Sequence, residues 1–257
     1  MTDRPLILLS NDDGYDSAGI LALRDALDAF ADVVLCAPRT NQSAASHALT
    51  LHGVLRLLRA DERTFALNGT PADCVYVALH SKERILPRRP DMVVSGMNHG
   101  PNLGSDVVYS GTVAAAREGA LRGIPAVAVS SDNAGDRTAA ARIGASVVRA
   151  TWDLCCSAER PRLATLLNVN VPVGARAEPM ATRLGARLYD DVVDYRLDPR
   201  GHEYLWIGGS EVHHDLTEGT DTAAWEAGIA SVTPLAYDLY AGPDAFEVAR
   251  AVVSRVK

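Results

Sequence analysis

Two adjacent carboxylates follow directly on a short apolar run near the start of the chain. Residues 6–9 (Leu-Ile-Leu-Leu) lead into Ser10-Asn11-Asp12-Asp13-Gly14, so Asp12 and Asp13 would lie where a buried strand ends. Side-by-side carboxylates repel each other, and a divalent cation relieves that repulsion. Their hard oxygen donors favour Mg²⁺, Mn²⁺ or Ca²⁺ over zinc. Taken alone, however, the segment is explained more simply as an Asp-Asp-Gly surface turn.

A long glycine-rich segment, residues 95–113, is the most informative part of the chain. It joins an apolar run to an Ala-rich helical pattern, and its glycines and asparagines permit close approach of the backbone to a ligand. Ser110-Gly111-Thr112 would open the following helix, where free backbone N–H groups and hydroxyls form an anion site. Because such long loops are uncommon in compact domains unless they carry function, a functional interpretation is favoured here.

Two further polar segments have simpler explanations. Residues 37–47 follow an apolar run and could supply neutral oxygen ligands and a basic group, although a solvated loop also explains them. In Asn68-Gly69-Thr70-Pro71-Ala72-Asp73-Cys74, Thr70 fits a helix N-cap and Pro71 the first helical position. A helix start is sufficient to explain that segment.

The remaining chemical groups are weaker candidates. His213-His214-Asp215 would alternate between the faces of a strand, which disfavours a shared metal. Asp190-Asp191 lacks both a preceding buried strand and a glycine-rich loop, so it is interpreted as a charged hairpin edge. The three tryptophans are interpreted as core or subunit contacts: Trp152, Trp206 and Trp225.

The elements that must position these residues alternate between strands and helices in the first half of the chain. Near-continuous apolar runs at 6–9, 33–36, 91–95 and 126–130 fit strands buried on both faces. Apolar spacing predicts helices at 18–30, 112–122, 138–154 and 245–256. This order predicts an α/β fold, a Rossmann-like and mostly parallel sheet with helices on both faces. Ligands of such sheets bind at the carboxyl ends of the strands, where the unusual residues occur.

After about Pro172 the pattern changes to shorter alternating segments. Residues 182–189 and 202–208 flank Asp198-Pro199-Arg200-Gly201, a turn pattern, and predict an extended C-terminal hairpin. The predicted division is therefore a core of residues 1–172 with the metal and phosphate loops. Residues 173–257 would form the hairpin and a C-terminal segment for oligomerisation that partly completes the core.

Composition narrows the function classes. The 257 residues are ordinary for a globular protein, and 25 Lys and Arg against 32 Asp and Glu give a net charge of −7. The electrostatic field of this negative charge disfavours binding of polymeric nucleic acid. A small phosphate substrate is still compatible with it, because a bound cation can reverse the potential locally. No apolar run is long enough to span a membrane and no signal peptide is evident. Four cysteines without metal or CxxC spacing indicate buried thiols, so a cytoplasmic location is expected.

Together, these motifs resemble the SurE (survival protein E) family of metal-dependent nucleotidases. The resemblance covers residue 6 to about residue 235. It rests on several blocks in the family's order: Ser10 to Gly14, Asn41-Gln42-Ser43, Asn68 to Cys74, Ser95-Gly96-Met97-Asn98, Tyr109-Ser110-Gly111-Thr112 and Ser231-Val232-Thr233-Pro234-Leu235.

The resemblance implies hydrolysis of nucleoside 5′- or 3′-monophosphates, with short polyphosphate left open as a substrate. It implies a divalent metal, Mg²⁺ or Mn²⁺ with Ca²⁺ as another occupant, held by Asp12, Asp13, Ser43 and Asn98. Asp12 and Asp13 would be catalytic. The set expected to bind phosphate or substrate is Asn11, Asn102, Ser110, Gly111 and Thr112. A homodimer or homotetramer built by a swapped C-terminal hairpin is also implied.

Three departures and two alternatives accompany this interpretation. Ser17 replaces a common proline, His99 stands where arginine is frequent, and the tail after Leu235 differs, which bears on the mode of assembly. A metal-bound water is preferred to Asp12 as nucleophile, since it needs no second step to hydrolyse an acyl phosphate. The alternatives are a non-catalytic nucleotide sensor and a dinucleotide oxidoreductase, the latter disfavoured because the first strand does not lead into GxGxxG.

Overall fold

A computed structural model describes residues 4–132, 134–155, 164–175, 178–189, 193–207 and 212–256. Its centre is a nine-stranded sheet in the order β3-β4-β2-β1-β5-β6-β7-β13-β8. The strands are β1 (Leu6–Ser10), β2 (Asp32–Pro38), β3 (Leu57–Arg59), β4 (Thr64–Leu67), β5 (Met92–His99), β6 (Ala126–Ser131), β7 (Leu166–Val171), β8 (Met180–Ala181), β9 (Arg187–Tyr189), β10 (Val193–Leu197), β11 (Glu203–Ile207), β12 (Val212–His214) and β13 (Ser231–Pro234). The helices are α1 (Ala18–Leu27), α2 (Pro71–His80), α3 (Gly111–Leu121), α4 (Arg137–Cys155), α5 (Asp221–Glu226) and α6 (Pro243–Val253).

The central strands are parallel and buried on both faces, as their apolar runs predict. Side chains of one strand alternate between two cores: Ile7 and Leu9 pack with α1 and α4, whereas Leu6 and Leu8 belong to the opposite cluster with α2 and α3. The predicted strands at 6–9, 33–36, 91–95 and 126–130 are confirmed, as are the four predicted helices to within a few residues. The chain is therefore the expected α/β fold with helices on both faces of the sheet.

The direction of the strand order reverses between β1 and β5. From β1 the chain moves outward to β2 and β4, then returns across the sheet to β5 and continues to β6 and β7. The two strands pair directly, with Ser10 opposite Ser95. The loops that leave their carboxyl ends diverge from this point and open a crevice, which is where open α/β sheets bind ligands.

Two strands outside this parallel series complete one edge of the sheet. Strand β13 pairs antiparallel with β7, and β8 adds to it in parallel. At the other edge β3 runs antiparallel to β4. Sequence periodicity does not reveal the pairings of β13, because β7 and β8 lie far from it along the chain.

The predicted hairpin is present, and its first arm extends closer to the turn than predicted. The turn at 198–201 connects β10 to β11, with Leu197 opposite Glu203, so the first arm includes residues 193–197, which the predicted segment 182–189 leaves out. The alternation of apolar residues continues through Val193, Tyr195 and Leu197 up to the turn. Farther from the turn, residues 187–189 of the predicted arm form β9, which pairs antiparallel with β12 and belongs to the same hairpin. Asp190 and Asp191 lie outside the described residues.

Within the part of the chain that the structure describes, no helix is both long and apolar enough to cross a membrane.

Candidate active site

Three loops and the start of α3 enclose a cavity of about 600 Å³ at the carboxyl edge of the sheet. The loops follow β1, β2 and β5, the three strands next to the reversal in strand order. Five predicted site residues line the cavity: Asp12, Ser43, Asn98, Asn102 and Ser110. The same lining includes residues that were not predicted to bind ligand: Ala44, His99, Ser105, Asp106, Tyr109 and Arg187.

Asp12 is held from behind by the start of α3. Its carboxylate Oδ1 accepts a hydrogen bond from the Thr112 hydroxyl, and its carbonyl accepts one from the Gln42 N–H at 2.7 Å. Gly111 makes this contact possible, because a Cβ at that position would lie 2.8 Å from the Asp12 Cβ. The side chain of Asp12 is therefore fixed in the floor of the cavity.

Burial leaves Asp12 in need of positive charge. Burial, opposed by the Thr112 hydrogen bond and reinforced by the adjacent charge of Asp13, raises the pKa of Asp12 to about 6. Among the described residues, no Lys or Arg side chain forms an ion pair with Asp12. A bound cation would supply that missing charge.

Asp13 is oriented by the loops on either side. Its Oδ1 accepts from the Asn41 amide at 3.4 Å, and its Oδ2 accepts from the backbone N–H of His99 at 3.1 Å. The His99 ring Nδ1 lies 3.8 Å from the same Oδ2. These contacts connect the loops after β1, β2 and β5 through one carboxylate.

Ser43 and Asn98 offer two neutral oxygen atoms to the same cavity. The Ser43 hydroxyl donates to Asn41 Oδ1 at 2.7 Å, so its lone pairs remain as acceptors. The Asn98 amide nitrogen donates to the Gly100 carbonyl at 2.8 Å, which leaves the amide oxygen available to accept from or coordinate a ligand. With Asp12 and Asp13, the set is two carboxylates and two neutral oxygens, which fits Mg²⁺, Mn²⁺ or Ca²⁺.

A zinc-type site is not found in the described ranges, where no three His, Cys, Asp or Glu side chains cluster around a possible metal position. His214 instead has Nδ1 at 2.5 Å from Glu226 Oε1. Neither His213 nor His214 lines the cavity.

The loop that carries Ser43 is fastened to two helices. His47 Nε2 lies 2.9 Å from Oε2 of Glu118, a buried residue of α3 whose Oε1 accepts from Arg122 at 2.8 and 3.0 Å. Burial would raise the pKa of Glu118, but the bonds to His47 and Arg122 outweigh it and keep the pKa below 4.5. Further hydrogen bonds anchor the loop: the Ser46 hydroxyl donates to the Val108 carbonyl, the Thr70 hydroxyl donates to the Ala48 carbonyl, and the Thr50 hydroxyl donates to the Asp73 carboxylate.

Ser110 and Thr112, predicted together as phosphate ligands, lie in different places. Ser110 caps α3, its Oγ accepting from the Val113 N–H at 3.0 Å, and it lines the cavity. Thr112 is fully buried and its hydroxyl is committed to Asp12, so only its backbone N–H at the helix start can serve an anion. Sequence could not show this, since the partner lies 100 residues away.

The two asparagines predicted to bind phosphate or substrate also lie in different places. Asn102 lines the cavity, and its carbonyl accepts from the side chains of Asn168 and Asn170 at 2.8 and 3.0 Å. Asn11 is fully buried and does not line the cavity. Its amide donates to the Gly14 carbonyl and the Ser17 hydroxyl, both at 2.9 Å, which shapes the turn that presents Asp12 and Asp13.

Comparison with known proteins agrees with the fold and the loops. The family model for survival protein SurE matches residues 7–191. A protein of Sorangium cellulosum named 5′-nucleotidase SurE is 61% identical over 93% of this chain and 92% of its own length. One of Syntrophotalea carbinolica with the same name is 45% identical, covering 91% and 92%. The crystal structure of a SurE protein from Aquifex aeolicus has a TM-score of 0.79 at 36% identity, covering 97% and 99%.

An α/β fold with an oxygen-rich cavity at its strand reversal defines the class of this protein. The chain belongs to the SurE family.

Proposed function

We propose that this protein is a metal-dependent phosphomonoesterase that hydrolyses nucleoside 5′- or 3′-monophosphates to nucleoside and phosphate. The observation that carries the proposal is the buried carboxylate of Asp12, beside Asp13, in a cavity that also receives Ser43, Asn98 and the start of α3. Relatives of up to 61% identity named 5′-nucleotidase support it. They give no support to a non-catalytic sensor.

The residues proposed to hold the metal are Asp12, Asp13, Ser43 and Asn98, and Mg²⁺ or Mn²⁺ suits their oxygen donors. Ca²⁺ can occupy the same kind of site. When bound, the cation lowers the pKa of a coordinated water and neutralises charge that develops on the phosphoryl group.

The chain's own residues position the substrate. The free N–H groups at the start of α3, from Gly111 and Thr112, and the side chains of Ser110 and Asn102 are proposed to bind the phosphate. Thr112 holds Asp12 in one orientation, which supports its proposed role as a metal ligand. Water is the proposed nucleophile, because it avoids an acyl phosphate. Short polyphosphate has the same terminal phosphate and is a second proposed substrate.

Phosphate release from a panel of 5′- and 3′-nucleotides, with Mg²⁺, Mn²⁺ or EDTA, tests this function. Asp12→Asn and Asp13→Asn are expected to lower kcat/KM by about a hundredfold or more, because each removes a charged ligand. Asp25→Asn, at an exposed carboxylate of α1, is the control and should retain activity. Full activity of both site variants, or of metal-free enzyme in EDTA, would contradict the proposal.

The assembly and location are proposed on separate grounds. A homodimer or homotetramer is supported by exposed apolar side chains on the hairpin. A cytoplasmic location is supported by Cys36, Cys74 and Cys155, which are all free thiols, two of them buried. The net charge of −7 supports small nucleotides over polymeric nucleic acid as partners.

A further inference from the structure

One wall of the cavity comes from outside the loops of the parallel sheet. Arg187, the first residue of β9 in the hairpin, lines the cavity, and its NH1 donates to Oδ2 of Asp106 at 2.5 Å. The two side chains are only 19% and 15% exposed. Arg187 is thus a cation held inside the site and differs from a mobile arginine on the surface.

The backbone around Arg187 is built into the site. Buried Asp221 accepts from the N–H of Gly185 at 2.7 Å and from the N–H of Gly104 at 3.0 Å, and so ties the two segments together. Gly104 has a φ of +52°, and a Cβ there would lie 2.7 Å from the Gly185 carbonyl oxygen. This close approach places Arg187 next to Asp106 in the loop before α3.

The charge of the cavity gives Arg187 a role. Among the described residues of the lining, it is the one Lys or Arg, whereas Asp12 and Asp106 are acidic and Asp13 adjoins them. A divalent cation offsets Asp12 and Asp13, and Arg187 offsets Asp106. Without Arg187, a phosphate dianion would enter a cavity that still carries negative charge. A guanidinium also matches phosphoryl oxygens in geometry.

We propose that Arg187 is a substrate-binding residue whose guanidinium binds the phosphate of the nucleotide, and that Asp106 positions it. This inference rests on the proposed function, and it makes the hairpin part of the substrate site. The phosphate is then bound from two sides, by the start of α3 and by Arg187.

Arg187→Met removes the charge and keeps most of the side-chain volume. We expect kcat/KM for nucleoside monophosphates to fall about tenfold to a hundredfold, as for the loss of hydrogen bonds to a charged group. Calorimetry in Mn²⁺ should show a similar weakening of inorganic phosphate binding, while the affinity for Mn²⁺ itself stays unchanged. Arg187→Lys should recover part of both losses.

Arg183→Met is the matched control, because Arg183 lies four residues earlier, outside the cavity lining, and donates to the Glu218 carbonyl. It should bind phosphate like the parent. The proposal is overturned if Arg187→Met binds phosphate as tightly as the parent does. It is also overturned if the variant's Mn²⁺ affinity falls as much as its phosphate affinity, because Arg187 would then only support the structure of the site. If Arg187→Met does not fold, Arg187→Lys decides by the same two affinities. An inactive parent that still binds phosphate would refute the proposed function and leave this test intact.

Discussion

At Asp12 the requirements of folding oppose those of the proposed chemistry. Burial raises its pKa from an ordinary value of 3.8 to about 6, which corresponds to roughly 3 kcal/mol. The unfolded chain releases this proton at lower pH, so between about pH 4 and pH 6 the folded state binds more protons. The stability of the metal-free protein therefore falls as the pH rises through this window, and the penalty is complete above pH 6.

Asp12→Asn should for this reason stabilise the metal-free protein while it removes a metal ligand. In EDTA at pH 8, we expect a Tm up to roughly 5–10 °C higher than that of the parent, with the difference shrinking as the pH falls toward 4. Added Mn²⁺ should raise the Tm of the parent but not of the variant. Scanning calorimetry at both pH values measures this. Asp25→Asn, at an exposed carboxylate, serves as the control. If Asp12→Asn raises the Tm at pH 8 no more than Asp25→Asn does, the burial of Asp12 does not destabilise the metal-free protein.

Sequence could identify single residues only where local pattern marks them. Asp12 and Asp13 follow a buried strand, and Asn98 and Ser110 stand in a glycine-rich loop, so their placement at one edge could be predicted. The commitment of Thr112 to Asp12 depends on packing across the sheet. Arg187 is a lone arginine in an alternating segment, and nothing near it in sequence points to the cavity.

At the scale of elements, two hydroxyl side chains at the start of α3 have different contacts. Ser110 faces the cavity, whereas Thr112 faces back to Asp12. Loss of both hydroxyls at once would therefore disturb the metal site together with the proposed phosphate site. Single substitutions separate the two.

Thr112→Val should weaken Mn²⁺ binding roughly tenfold or more, because it removes a hydrogen bond to a carboxylate and keeps the shape of the side chain. Ser110→Ala should leave Mn²⁺ affinity nearly unchanged, weaken inhibition by inorganic phosphate, and cost about 1 kcal/mol of stability as a lost N-cap. Calorimetric titration with Mn²⁺ and inhibition by phosphate distinguish the two. Thr151→Val, the same exchange at a buried threonine of α4, is the control. Equal Mn²⁺ affinities for Thr112→Val and the parent would contradict this assignment.

Secondary-structure elements could be predicted where a short stretch of sequence carries the pattern. The apolar runs of β1, β2, β5 and β6 and the spacing in α1 and α4 identify buried strands and amphipathic helices. The insertion of β13 between β7 and β8 depends on contacts between distant segments. The predicted first arm of the hairpin stopped short of the turn, because 182–189 and 193–197 both alternate, and the pairing of β10 with β11 shows that the arm includes 193–197.

At the scale of the whole molecule, the hairpin has an apolar face without a partner in the described structure. Directly paired residues share a face, so the pairs Val193 with Ile207 and Tyr195 with Leu205 lie on one side, next to Leu197. All five are exposed, Ile207 to 92%. An isolated two-stranded ladder is marginally stable in water, and another subunit would bury this face. Trp206 lies on the opposite face.

We therefore expect light scattering at micromolar concentration to give a multiple of 27.3 kDa, a dimer or a tetramer. Leu205→Ser combined with Ile207→Ser should shift the mass toward the monomer, because both changes place hydroxyls in the proposed interface. Tyr204→Ser, on the other face of the same strand, is the control and should keep the parent mass. A monomeric parent would refute assembly, and an unchanged mass in the double variant would exclude this face as the interface. Because Arg187 begins the same hairpin, the dissociated variant should also bind phosphate more weakly while it retains its affinity for Mn²⁺.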